Sequence, residues 1–202
     1  VLSRLGEIVT APEELAAVAT TTVRLVTAWT IAALLGVALG LGMGLIPLLG
    51  SILTPYVVLI QSIPRISWIL LAMFWFGIDG TVVVFLIVVT VIPFFMVNVS
   101  GAVRTVRDER KEVMDAFRFP GWLRIVDVYI PAISQALRAA ASISLSVGWK
   151  AVVMAELLAA PDGIGARLSW AQSSFDTATV LAWTLIIAAA ALTSHGVLRK
   201  VS

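Results

Sequence analysis

Two cations and one acid stand in stretches of this chain that are otherwise apolar: Arg65, Lys150 and, six residues after the lysine, Glu156. Counted from the ends of their hydrophobic runs, Arg65 and Lys150 fall near the middle and Glu156 closer to an end. A charge at the centre of a bilayer costs at least ~2.5 to 3.5 kcal/mol, so each must be paired or must line a polar path. Gln61, Ser62 and Ser67 add polarity around Arg65. Two midplane cations in such surroundings suit a route for small anions, with Gln61, Arg65, Lys150 and Glu156 as its candidate residues. The rival reading is structural: Arg65 or Lys150 pairs with Glu156 or with a backbone carbonyl and holds helices together. Lys150 can also snorkel toward the interface, and Glu156 can gate, pair with Lys150 or meet a partner.

Other chemistry is disfavoured by what the chain lacks. It has no cysteine and a single histidine, His195. Thiolate catalysis and disulfides are excluded, and a metal site, which needs several ligands, is not expected. His195 reads as a helix-end residue at the interface. No GxxxxGK stretch is present, so the chain has no phosphate-cradling loop and is not expected to hydrolyse ATP itself. No catalytic residue and no cofactor of its own are expected.

The elements that must carry these residues follow from hydropathy. Of 202 residues, 60% are hydrophobic and only 13% charged, and the mean hydropathy is +1.02. Those values lie outside the range of a soluble domain. No charged residue occurs in 25–64, in 80–103 or in 177–198, and roughly 20 mainly apolar residues cross a bilayer. The pattern predicts an all-α polytopic membrane protein. Five spans are expected, at about 18–46, 52–76, 81–101, 132–158 and 178–197. Pro12, Glu13 and Glu14 suit a helix start. Gly36, Gly40 and Gly44 recur every four residues and present bare backbone on nearly one face, where another helix can approach. Pro64 places a kink beside Arg65 in the second span. Trp68 and Trp75, seven apart, share a face and read as interface anchors or packing.

Charge then orients the spans. Six of the fourteen Lys and Arg (Arg104, Arg107, Arg110, Lys111, Arg118, Arg124) fall in Arg104–Pro131, beside five acids. Lys and Arg favour the inner face, so this loop is assigned inside, as are Arg199 and Lys200. The net charge of +2 reflects this bias, and nucleic acid is not an expected partner. Asp79 and the 159–177 loop fall outside. The chain then starts outside without a signal peptide's apolar core, so a further N-terminal spanning helix is expected to precede it. The whole of 1–202 reads as one transmembrane domain, with an inner loop at 104–130 and an outer loop at 159–177.

These residues carry a family resemblance. Thr21-x-x-Arg24, the three glycines Gly36, Gly40 and Gly44, Phe76–Ile78, Glu156, the Gly163–Gly165 turn and Phe175–Thr177 resemble the permease subunit of binding-protein-dependent ABC importers. The nearest group is that for nitrate, sulfonate, taurine and bicarbonate. Within the inner loop, Trp122 followed nine residues later by Pro131 is similar to the spacing around the group's "EAA" signature. Counted back without a gap, Glu112 is the signature acid, Val113 and Met114 the small pair, and Arg118 stands at the glycine position. A gapped register uses Asp115 and Ala116 with Gly121.

The resemblance implies a short cytoplasmic coupling helix docked in a groove of an ATPase. Val113, Met114, Phe117 and Phe119 would supply its apolar contacts, and charged residues including Arg118 its rim. It also implies partners: two ABC ATPase subunits that bind the ATP and Mg, a second permease copy expected as a homodimer, and an extracytoplasmic substrate-binding protein. The setting would be the lipid bilayer of a prokaryotic cytoplasmic membrane, with import by alternating access. An ion-coupled secondary transporter or channel would need repeats and intramembrane acids for coupling, and only Glu156 approaches that. A purely structural membrane subunit is the other alternative.

Overall fold

The computed structural model describes residues 2–116 and 129–201. Every element among the described residues is a helix: α1 (Leu2–Thr10), α2 (Pro12–Leu45), α3 (Pro47–Ser62), α4 (Arg65–Phe76), α5 (Gly80–Ala116), α6 (Ile130–Ala159), α7 (Ile164–Ser173) and α8 (Thr177–Val201). Helices satisfy their backbone N–H and C=O groups internally, which hydrocarbon requires of any chain crossing it. Four of them are long and apolar enough to span: Pro12–Leu45, Gly80–Arg107, Ile130–Ala159 and Thr177–Leu198. α3 and α4 together make a fifth if counted as one broken span.

The second span therefore differs from expectation. Instead of one kinked helix with Arg65 at its middle, the chain ends α3 at Ser62 and reopens as α4 at Arg65. Pro64 precedes α4 with an extended backbone (φ −56°, ψ 136°). Proline disfavours the helical conformation of the residue before it, so Ile63 cannot readily continue α3. Arg65 consequently occupies a helix N-terminus. A short helix, α1, lies ahead of the helix start that Pro12, Glu13 and Glu14 mark in the sequence.

The chain divides into two compact units. One comprises Ala32–Ser62 and Val91–Ser144. Here α2 and α5 approach at the glycine ladder: a Cβ added to Gly36 would lie 2.6 Å from Phe95 Cβ, one on Gly40 3.0 Å from Met96 O, and one on Gly44 2.5 Å from Val103 Cβ. Small residues let backbones close to such distances, and dispersion contacts then hold helices that lipid would solvate equally well. Met43, Val57 and Met96 form a small core nearby, with Leu53 and Ile92 packed against it.

The other unit comprises Val1–Ile31, Ile63–Thr90 and Leu145–Ser202. Ile8 of α1, Ala17 of α2, Ile164 of α7 and Ala182 and Trp183 of α8 share its core. Trp68, Trp75 and Phe76 of α4 all meet Phe85 of α5, with ring centroids 6.4, 5.8 and 5.6 Å away. Gly77 ends α4 at φ +76°, and Asp79 caps α5 by accepting from the Thr81 backbone N–H at 3.1 Å and from its hydroxyl. Asp176 caps α8 in the same manner, accepting from Thr179 N at 3.1 Å and Thr179 Oγ1 at 2.7 Å.

Candidate functional site

Glu156 lies one turn before the end of α6 and is completely buried. A lone buried carboxylate is strongly unfavourable, and this one is fully partnered. Thr21 Oγ1 donates to its Oε2 at 2.7 Å, the backbone N–H of Gly165 to the same oxygen at 3.1 Å, and Arg24 Nη1 to Oε1 at 3.2 Å. Thr21 and Arg24 reach it together because residues three apart lie on one helix face. The threonine hydroxyl also accepts the Ile164 N–H at 2.8 Å. Arg24 goes on to Asp162, donating to Oδ1 at 2.7 Å and to the backbone oxygen at 3.2 Å. One carboxylate thus ties α2, α6 and the loop opening α7.

The glycines around it are there for space. Gly163 holds φ +97°, and a Cβ on it would run into the Glu156 carboxylate. A Cβ on Gly165 would lie 2.5 Å from both Glu156 Cβ and Val153 O. Gly80 does the same for the arginine: a Cβ there would meet its guanidinium, with Nε 2.8 Å away. Thr21, Arg24, Glu156 and the Gly163–Gly165 turn, separate features in the sequence, are one assembly. Asp162 and Gly80 belong to it without having been singled out; only their adjacency to motif residues hinted at them.

A second feature of the same unit is a groove of about 1010 Å³ between α6 and α8. Trp149, Lys150 and Leu157 line it from α6, Thr184 and His195 from α8, and Ile66 from α4. Lys150 is exposed. The wall between the helices is pinned by two polar contacts: Ser146 Oγ to His195 Nε2 at 2.7 Å, and Trp149 Nε1 donating to Ser194 Oγ at 2.9 Å. His195 therefore links helices within an apolar face, a role its isolated position in the sequence did not indicate.

The structure joins Glu156 to Arg24 and not to Lys150 or Arg65. Arg65 is exposed at the start of α4, beside the groove residue Ile66, and Gln61 is exposed near the end of α3. Of the coupling candidates, Glu112, Val113, Met114, Asp115 and Ala116 continue the backbone of α5 to its end. Phe117, Arg118, Phe119 and Gly121 lie outside the described residues. No group of His, Asp or Glu able to hold a metal occurs among the described residues.

The helices and the buried carboxylate clamp define a polytopic all-α membrane architecture. The chain belongs to the family described as binding-protein-dependent transport system inner membrane component, which matches residues 32–201. It is 34% identical over 169 residues to the taurine transport system permease protein TauC of Escherichia coli, across 82% of this chain and 60% of that one. Similarity extends to the nitrate import permease protein NrtB of Synechococcus elongatus, at 25% identity over 70% of this chain and 51% of that one. The putative aliphatic sulfonates transport permease protein SsuC of Bacillus subtilis is 27% identical over 77% of this chain and 59% of its own. The chain spans half to three fifths of the length of these relatives.

Proposed function

We propose that this chain forms half of the substrate pathway of an ATP-driven importer of small anions in a prokaryotic cytoplasmic membrane. The family match across residues 32–201 is the observation that carries this reading. The relatives named for taurine, nitrate and sulfonates support an anionic or zwitterionic cargo, and Lys150 on the α6–α8 groove supplies a charge of the right sign. Gln61 and Arg65 are the other proposed pathway residues. Glu156, with its oxygens engaged by α2 and α7, is proposed to brace the end of the pathway.

The energy source is assigned to partner ATPases that bind ATP and Mg, docked on the end of α5 and the residues that follow it. Glu112 to Arg118 and Gly121 are the proposed docking residues, and a second permease copy and an external binding protein complete the assembly. The test is uptake into proteoliposomes holding the permease, its ATPase and its binding protein. Uptake of a small sulfonate or nitrate should stop when ATP hydrolysis is blocked. Uptake that continues on an ion gradient alone would make the chain a secondary transporter.

A further inference from the structure

The groove of about 1010 Å³ between α6 and α8 is organised along its length. On α6, Lys150, Val153, Met154 and Leu157 follow the i, i+3, i+4, i+7 spacing of one helix face, and Ile187, Ala188 and Ala191 of α8 line the same space. Two contacts set the register: Ser146 meets His195 and Trp149 meets Ser194, so the two helices run antiparallel. Both contacts lie at one end of the groove. From Lys150 toward α7 the lining contributed by α6 is wholly apolar, and the helix rise over the residues from Lys150 to Leu157 gives that stretch a length of about 10 Å.

The polar groups of the groove other than the lysine are already engaged. Ser146 Oγ and His195 Nε2 hold each other at 2.7 Å, Trp149 Nε1 donates to Ser194 Oγ at 2.9 Å, and Thr184 Oγ1 donates to Val180 O at 2.8 Å. No Asp or Glu occurs among the described lining residues, and Lys150 makes no hydrogen bond or ion pair among the described residues. One exposed ammonium therefore sets the charge of whatever enters. It is a compact point charge, which favours an anion without selecting the shape of its head. Discrimination is left to the apolar length beyond it. A compact inorganic anion that gave up its water here would meet a single cation and otherwise hydrocarbon, an unfavourable exchange for a charge. An anion carrying a hydrocarbon chain keeps the contact with Lys150 and gains from each methylene laid against Val153, Leu157 and Ala188.

We infer that this groove selects cargo by its hydrocarbon body: it takes a monoanion with an extended apolar chain, head at Lys150 and chain toward Leu157, in preference to compact inorganic anions. The inference rests on the proposed role of the groove in the substrate pathway. Titration calorimetry of the permease–ATPase complex in nanodiscs tests it, without binding protein and with empty nanodiscs as the blank. The probes are hexanesulfonate, ethanesulfonate and nitrate. A fully buried methylene is worth about fourfold in affinity, so hexanesulfonate should bind at least about tenfold more tightly than ethanesulfonate. Nitrate should bind more weakly than either. Lys150→Gln should weaken both sulfonates roughly tenfold, the worth of one contact to a charged group. Ala188 is exposed, and Ala188→Leu, which fills the apolar length, should remove most of the preference for hexanesulfonate while ethanesulfonate binds as before. Equal binding of the two sulfonates, nitrate bound as tightly as hexanesulfonate, or a preference that survives Ala188→Leu each overturns the inference. Absence of measurable hexanesulfonate binding, as when a second permease copy fills the groove, overturns it too. All of these outcomes leave ATP-driven import standing, because that reading is tested by uptake; uptake indifferent to ATP hydrolysis would remove the importer reading without altering the titration.

Discussion

Arg24 and Glu156 stand 132 residues apart in the chain and meet at 3.2 Å, with the carboxylate wholly buried. The arginine side chain keeps only 16% of its surface, so the pair is shielded from the water that weakens exposed ion pairs. Removing one partner of such a pair leaves the other charge uncompensated, at about 3–5 kcal/mol. Arg24→Ala and Glu156→Ala should each destabilise the detergent-solubilised protein by that order in thermal unfolding. The double variant should lose clearly less than the two losses added; strict additivity would show that the two side chains act independently.

Two glycines separate space from propensity. Gly165→Ala puts a methyl group 2.5 Å from Glu156 Cβ and Val153 O, and overpacking of this kind costs about 1–3 kcal/mol. Gly101, within α5, has open space where its Cβ would go. Gly101→Ala should therefore be neutral or stabilising by up to about 1 kcal/mol, from helix propensity alone. Melting temperatures of the two variants should move in opposite directions, or the second should not move at all.

Lys150 faces an open groove instead of a carboxylate. If it meets anionic cargo, Lys150→Gln should raise KM for uptake roughly tenfold, the worth of one charge-assisted contact, with ATP-driven kcat largely kept and Lys150→Arg partly restoring KM. A fall in kcat and in assembled protein with KM unchanged would instead mark a structural lysine.

Asp176 is held below the usual carboxylate range, first by the Thr179 hydroxyl and then by the Thr179 backbone N–H. A carboxylate with a depressed folded pKa adds stability above its unfolded value of about 3.9, and that stability disappears as pH falls through the folded value. Asp176→Ala should accordingly lower the melting temperature at neutral pH. The difference from the unaltered protein should shrink below about pH 4. A gap that stays constant down to pH 2 would show that the cap does not act through its charge.

The sequence by itself determined the class of this protein, because the signals for it are local. A run of apolar residues long enough to cross hydrocarbon, the clustering of Arg104 to Arg124 in one polar segment, and glycines at Gly36, Gly40 and Gly44 need no knowledge of distant neighbours. The ends of α2, α6 and α8 were accordingly legible to within a few residues. Pro64 announced a disturbance but not its size, since whether a proline kinks a helix or ends it depends on what packs around it. Thr21, Arg24, Glu156 and Gly163 to Gly165 could each be singled out, yet nothing in their spacing said that they touch. Only the tertiary structure decided that Glu156 answers Arg24 and leaves Lys150 on an open groove. A buried charge takes whichever counter-charge the fold delivers within hydrogen-bond range, and here α2 delivers it from the far end of the chain.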